Sequence, residues 1–422
     1  MCQCANVPMC QLFRMPACPY ALVLGLLLIP IGLISCRQSA VEKTGPVRVR
    51  TQFTNQPDPD EIGNHIASFE VIPIEYSKEK IIGEVNLLTG IQNRFLIYNS
   101  KYKLFNIIDR KGKIIRQVGN FGNGPCEYVQ PDQVTLTPEG NFAVSDGLKG
   151  VIQEYSPDGN CIREIPLPKT GSCESFAYLD AKTVLLGYYR VQETENGPGY
   201  YIRICDRDLQ IQDSLIPFYT SWPMGGISPE FTPWEGNMIV TKNGDYRIFQ
   251  IDAERRIDTL VVMDYGENGY DFSDCDHMSF EDYIRFHGTL VKPLSAGKIY
   301  PQHNGYMITT FFKDEQHIAF CTWDQEEVLF RLLKSHEYLG FYKGFPVPRA
   351  ISLVDGRITG SFEAIDVLDL WEEYPDQKAR AAEEPEFRKI MDQLDAEDNP
   401  LIVSFTLDIN NNRPNVIRDA KK

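Results

Sequence analysis

Six histidines are the first side chains to test for metal or acid–base chemistry: His65, His277, His287, His303, His317 and His336. No two share the short spacing by which one helix or turn offers paired imidazoles to zinc, so no metal ligand is assigned. The acidic stretch Asp271-Phe-Ser-Asp274-Cys-Asp276 misses the EF-hand pattern, because Met278 falls on a ligand position and no glycine follows. It reads as a solvated acidic loop. Gly119-Asn-Phe-Gly122-Asn-Gly124 has the composition of a phosphate loop. Such glycines bind phosphate when a helix N-terminus stands behind them; a strand pattern follows here, so the segment reads as a turn. Neither a P-loop, nor G-x-S-x-G, nor H-E-x-x-H occurs. No catalytic residue, metal or cofactor is therefore assigned, and convergence of groups from distant segments stays open.

The chemistry that remains is recognition. Residues 218–234 interrupt the surrounding pattern with aromatic, glycine and proline residues, and Tyr219, Trp222, Phe231 and Trp234 are the candidate binding residues. Planar rings offer sugars or peptides a large apolar face at little entropic cost, and loops on a rigid scaffold commonly carry function. The alternative is that these rings plug the core. Residues 264–291, with Tyr265, Tyr270, Phe272 and Tyr283, form a second candidate surface.

The 42 basic residues against 58 acidic ones, a net charge of −16, include no Lys/Arg block. Nucleic acid is excluded as a partner, because its binding needs a basic footprint to displace counterions. Docking on anionic lipid through surface charge is excluded on the same ground. With 422 residues, 43% hydrophobic and 24% charged, the profile is that of a globular protein able to bury a large core.

Stepwise along the chain, residues 69–370 form short apolar or alternating runs such as Phe142-Ala-Val-Ser145 and Met238-Ile-Val-Thr241, each closed by a polar turn. This is the strand-and-turn signature. A longer period lies over it. Asp109, Ser156, Asp206, Asp252 and Asp324 each open a tight turn between two apolar pairs, with spacings of 47, 50, 46 and 72. The last interval is lengthened by the insertion 264–291. A period in the forties with several strands per unit marks β-propeller blades, and dividing the repeat region gives about six. The sixth falls on 346–370. The fold class is all-β, a six-bladed β-propeller with a short C-terminal helical segment and a closing strand. A pair of β-sandwiches is the competing all-β reading, but it leaves the regular repeat unexplained.

The tail departs from the repeat. Residues 374–397 are charged and helical, with Pro385 suited to a first turn and Phe387, Ile390, Met391 and Leu394 on one face. Asn399-Pro400 ends that pattern, and Leu401-Ile-Val-Ser-Phe-Thr-Leu407 reads as a strand that closes the ring against Phe69-Glu-Val-Ile-Pro-Ile74.

At the other end, Arg14 is the only charge in residues 1–35, and residues 21–35 are an apolar run of 15. A membrane span needs about 20, so the run fits the core of a secretory signal. It ends in Leu33-Ile34-Ser35-Cys36, which resembles a bacterial lipobox, with Cys36 the lipid attachment point. An uncleaved anchor is the alternative. The organisation is then a signal peptide over 1–35, the lipidated Cys36 with a flexible linker over 36–61, and a propeller over 62–422. Arg37 after the cysteine is no acidic retention signal, which implies the outer membrane and leaves its face open. Cys126, Cys161, Cys173, Cys205, Cys275 and Cys321 follow without a C-x-x-C pair, so most read as free buried thiols, with any disulfide pairing open.

Asp109-Arg-Lys-Gly-Lys-Ile-Ile-Arg-Gln-Val-Gly119 runs into Gly122-Asn-Gly-Pro-Cys-Glu-Tyr128, and Glu397-Asp-Asn-Pro-Leu-Ile-Val403 closes the chain. These segments resemble the "D-x-x-G-K-x-x-R-x-x-G … G-x-G-P-G-E-Y" and "D-N-P-x-x-V" patterns of the six-bladed β-propeller lipoproteins of Bacteroidetes (NHL/TolB-like propellers). Cys126 stands where that group usually has glycine, implying that the loop does not strictly need a positive φ there. The resemblance implies a cell-envelope binding or interaction role without an established reaction. The expected function is a non-catalytic, lipid-anchored module for glycans, peptides or an outer-membrane uptake partner. The alternative is a hydrolase or lyase with its site in the central channel.

Overall fold

The recurring turns explain themselves at atomic level. Asp109 Oδ1 accepts the N–H groups of Lys111 and Lys113 at 2.8 and 2.9 Å, and Asp206 Oδ1 those of Asp208 and Gln210 at 3.0 and 2.9 Å. Asp252 takes Arg256 N–H at 2.9 Å, and Ser156 Oγ takes Asn160 N–H at 3.1 Å. A short polar side chain at this position satisfies backbone donors that the turn leaves unpaired, which is why the residue type repeats. Three residues on, the backbone takes a positive φ at Gly112, Gly159, Leu209 and Arg255.

The computed structural model describes residues 46–53, 65–77, 80–169, 171–191, 199–218, 229–272, 281–282, 285, 292–293, 295–312, 315–323, 327–334 and 342–408. Six four-stranded antiparallel blades are built from them. Blade 1 is β3 (Leu87–Ile91), β4 (Arg94–Asn99), β5 (Leu104–Asp109) and β6 (Ile114–Val118). Blade 2 is β7 (Pro131–Leu136), β8 (Phe142–Asp146), β9 (Val151–Tyr155) and β10 (Cys161–Pro166). Blade 3 is β11 (Gly171–Tyr178), β12 (Val184–Val191), β13 (Gly199–Cys205) and β14 (Ile211–Phe218). Blade 4 is β15 (Glu230–Trp234), β16 (Asn237–Thr241), β17 (Arg247–Ile251) and β18 (Ile257–Asp264). Blade 5 is β19 (Lys298–Gln302), β20 (Gly305–Phe312), β21 (Glu315–Cys321) and β22 (Glu327–Lys334). The middle strands are the most apolar; β8 and β9 are buried at every position, as expected where blade packs on blade.

Blade 6 closes the ring. Its strands β23 (Arg349–Val354), β24 (Arg357–Phe362) and β25 (Leu401–Leu407) come from the C-terminal part, and β2 (Ile66–Pro73) supplies the fourth. The expected pairing holds, with Phe69 opposite Phe405 and Val71 opposite Val403. Between β24 and β25 lie three helices: α1 (Ala364–Glu373), α2 (Pro375–Glu383) and α3 (Pro385–Met391). Helix therefore begins ten residues before the expected 374, because α1 also has an apolar face: Ala364, Val367 and Trp371 are buried. Trp371 Nε1 donates to Gly344 O at 2.7 Å, and its ring lies 5.7 Å from Phe345.

The linker expected over 36–61 contains a strand, β1 (Val47–Phe53). It runs parallel to the outer strands of two neighbouring blades at once, with Val49 opposite Met263 of β18 and Val328 of β22. Blades 4 and 5 thereby become one nine-stranded sheet. Val47 and Val49 face the core while Arg48 and Arg50 face outward, the period of two that a half-buried strand requires.

Gly119–Gly124 is a turn between blades, as expected. The reading of Cys126 is corrected: its φ is +60°, so the loop does use a left-handed backbone there, without glycine. A disulfide to Cys161, with Cα atoms 6.0 Å apart, ties that loop to β10. Cys173, Cys205 and Cys321 are buried thiols outside any disulfide, and burial pushes the Cys205 thiol up to about 12, leaving it protonated at neutral pH. Cys275 lies outside the described residues.

Candidate functional site

Antiparallel blades sort their connections by end. Taking the strands of each blade from the axis outward, the first–second and third–fourth turns lie at one end. The second–third loops and the blade-to-blade loops lie at the other. The tight turns opened by Asp109, Ser156, Asp206 and Asp252 occupy the first end, and Asp324 lies outside the described residues. The insertion after Asp264, the helices α1–α3 and the connection from β14 to β15 belong to the second, loop-rich end.

At that end, a cavity of about 420 Å³ opens beside the last residues of β18. Three segments build it: Arg48 from β1, Tyr246 from the loop before β17, and the stretch from Met263 at the end of β18 to Asp271 beyond it. Rings form the walls. Tyr246 lies 4.8 Å from Tyr265 and 4.9 Å from Phe272, and Tyr270 is 5.9 Å from Phe272.

The tyrosine hydroxyls fasten these walls. Tyr246 Oη donates to Pro293 O at 2.7 Å and accepts Tyr270 N–H at 2.8 Å, while Tyr270 Oη accepts Lys292 N–H at 3.1 Å. Lys292 Nζ donates to the carbonyls of Glu267 and Gly269 at 2.7 and 3.1 Å. Tyr265 is buried and donates to Ala296 O at 3.2 Å; that burial holds its phenol above the ordinary range, so it stays protonated.

The polar lining is looser. Asp264 Oδ1 accepts Gly266 N–H at 3.0 Å, whereas Oδ2 lies 3.8 Å from Arg48 and 3.9 Å from Arg50, beyond hydrogen-bond reach. Asp271 lines the same space, exposed.

A second set of charges sits where inner strands begin at the loop-rich end. Lys298 of β19 pairs with Glu230 of β15 at 3.5 Å, and Arg349 of β23 with Asp366 of α1 at 2.9 Å. The phenol oxygen of Tyr300 and the carboxylate of Glu230 beside it hold the half-exposed Lys298 above the usual ammonium range, so it is a cation at neutral pH. Burial, with Asp366 nearby, raises Glu363, and Arg349 partly offsets this. These groups form separate ion pairs. Among the described residues no three His, Cys, Asp or Glu side chains gather in a metal-binding arrangement.

Of the candidate binding residues, Cys36, Tyr219 and Trp222 lie outside the described residues. Phe231 is a core residue: it is 8% exposed and packs with the cluster between blades 3 and 4. Trp234, three residues along β15, faces the opposite side and lies 6.2 Å from Trp323 of blade 5. An odd spacing on a strand sends two side chains to opposite faces, so Phe231 and Trp234 cannot make one platform. Trp234 also ends β15 at the tight-turn end, away from the cavity. Of the aromatic residues expected to form a surface in the insertion, Tyr270 and Phe272 are half-buried, Tyr265 is buried, and Tyr283 lies outside the described residues. Arg48 and Tyr246 were missed, although the alternation Val47-Arg-Val-Arg50 is itself a strand signal.

The sequence profile of the family described as "Domain of unknown function (DUF4934)" matches residues 47–406, and the chain belongs to that family. That span begins with β1, so the inserted strand is part of the family's unit. No curated protein matches the chain. Among solved structures, a candidate exported protein of Bacteroides fragilis is 13% identical with a TM-score of 0.68, covering 85% of this chain and 99% of its own. That likeness shows the fold. A member of the DUF4221 family from Bacteroides vulgatus, 11% identical over 82% of this chain and 99% of its own, has a TM-score of 0.48. Virginiamycin B lyase of Staphylococcus aureus, 14% identical over 70% of this chain and 81% of its own, scores 0.39. Neither of the last two carries an argument about function.

Proposed function

We propose that this family member is a lipid-anchored protein of the bacterial cell envelope that acts by binding, with Cys36 as its attachment point and the cavity beside Asp264 as its ligand site. The carrying observation is the cavity itself. Rings from two segments, Tyr246 before β17 and Tyr265 with Tyr270 beyond β18, are fastened at their hydroxyls, and a guanidinium and a carboxylate stand beside them without a close mutual hydrogen bond. A pocket of a few hundred Å³ with apolar walls and a few polar groups is the usual form of a small-ligand site. The ligands that suit it are glycans or short peptides, presented by or passed to an envelope partner. The same end also exposes the large apolar side chains of Ile81, Tyr102, Phe121 and Leu148, which suit contact with such a partner. The lipobox and the likeness to an exported protein support the location.

Two experiments test this reading. A thermal-shift screen of residues 37–422 against oligosaccharides, peptides and divalent metals should give a hit, since saturation at 100 times Kd adds about 2.7 kcal/mol to the folded state. The shift should vanish in Arg48→Ala. A hit that Arg48→Ala leaves intact removes the site assignment. Labelling of cells with a fatty-acid analogue should mark the wild type and not Cys36→Ala; equal labelling removes the anchor.

A further inference from the structure

The ligand class follows from the charges around the cavity, given the binding reading above. Arg48 is 59% exposed on its side chain, and its only described ion-pair partner, Asp264 Oδ2, is 3.8 Å away. An exposed pair at that distance contributes about 1 kcal/mol or less, so Arg48 can turn its N–H donors to a ligand at little cost. A guanidinium fork by itself selects carboxylate or phosphate. Here Asp264 and Asp271 line the same cavity, and Arg50, outside the lining, stands 3.9 Å from Asp264. Two carboxylates repel an anion that Arg48 would attract, and Arg48 with Arg50 repel a cation that the carboxylates would attract. The arrangement is balanced, rich in both donors and acceptors, and set against aromatic walls.

We propose that the cavity binds an uncharged sugar ring, a pyranose at the end of or within a glycan. A pyranose carries C–H bonds on its ring faces, which suit the half-buried rings of Tyr246 and Tyr270. Its vicinal hydroxyls each donate and accept, so one edge can take N–H bonds from Arg48 while giving O–H bonds to Asp264 or Asp271. The volume of about 420 Å³ lies at the small end of ligand sites, which run from about 300 to 1,000 Å³. The site also depends on β1. Arg48 enters only because that strand is docked between β18 and β22. A segment that reads as linker in the sequence thus supplies the key donor.

The test is saturation-transfer NMR on the lipid-free chain with defined probes. These are methyl glycosides of glucose, galactose and mannose, their common disaccharides, glucuronate, glucosamine and a set of tripeptides. Transfer should be strongest to ring C–H protons of a neutral glycoside. Arg48→Gln, an exposed change that leaves the melting temperature in place, should weaken that signal about tenfold. Asp271→Asn should move preference toward glucuronate, because it removes one of the two repelling charges. Preference of the wild type for glucuronate or glucosamine overturns the uncharged class, and preference for a tripeptide overturns the sugar class; each leaves a binding site. Silence here alongside a thermal-shift hit from a peptide or a metal overturns the sugar class alone. Silence in both overturns the binding reading as well.

Discussion

Asn399 and Ile82, 317 residues apart, are joined by a buried hydrogen bond: Asn399 Oδ1 accepts Ile82 N–H at 2.7 Å. The Asn399 amide nitrogen donates to the carbonyls of Glu75 and Lys80 at 2.6 and 2.8 Å. One side chain of the closing segment thus holds the connection that leads from β2 into blade 1. Asn399→Ala would strand one donor and two acceptors in a buried place. The expected loss is about 3 kcal/mol, since each buried unsatisfied group costs about 1–3 kcal/mol. Urea unfolding measures it.

The disulfide Cys126–Cys161 closes a loop of 35 residues. On the chain-entropy account this contributes about 4 kcal/mol. Reduction should lower the melting temperature. The double variant Cys126→Gly with Cys161→Ser should recover about 1 kcal/mol over Cys126→Ala with Cys161→Ser, because position 126 has φ +60° and glycine adopts it without strain.

Glu154 is buried and receives Arg163 at 2.8 and 3.0 Å, Arg207 at 2.9 Å and the Tyr178 hydroxyl at 2.8 Å. Burial pushes its carboxyl up, but the bonds from Arg163 and Tyr178 and the charges of Arg163 and Arg207 outweigh that and hold it below the ordinary value. A depressed folded value means stability that is present above the unfolded carboxylate range and lost as pH falls through the folded one. Glu154→Gln should therefore cost about 2 kcal/mol at neutral pH, less than a fully buried pair because both arginines are partly exposed. The gap from wild type should close in acid, which paired denaturation curves would show.

Phe231→Ala should behave as a core deletion, costing about 3–5 kcal/mol, and leave ligand binding to the surviving folded protein unchanged. Arg48→Ala should do the reverse. If Phe231→Ala weakens binding at full stability, the placement of its ring in the core is wrong.

Val49 is fully buried on β1. Val49→Asp would place an unpaired carboxylate against β18 and β22 and should undock the strand. Hydrogen exchange should then rise in β18 and β22 and stay unchanged in blades 1 and 2. A uniform rise would mean that β1 supports the whole ring rather than one seam.

Asp109, Asp206 and Asp252 show why the propeller was legible in the sequence: a turn that satisfies its donors locally repeats as a local pattern, and counting its period counts the blades. The closing pair of Phe69 and Phe405 was legible for a similar reason, since a ring needs a terminal strand and Leu401–Leu407 alternates like one. The position of β1 was not, because Val47 and Val49 gain their burial only from two blades more than 200 residues further along. The binding residues divide in the same way. Composition marked aromatic segments, but Phe231 and Trp234 went to opposite faces of one strand, and strand direction, not residue type, decided that. Charge, the repeat and the strand-forming runs are properties of neighbouring residues, and the sequence alone determined them. The cavity is a property of residues 48, 246, 264 and 271 meeting in space, and only the tertiary structure could bring a guanidinium, two carboxylates and a wall of rings to one place.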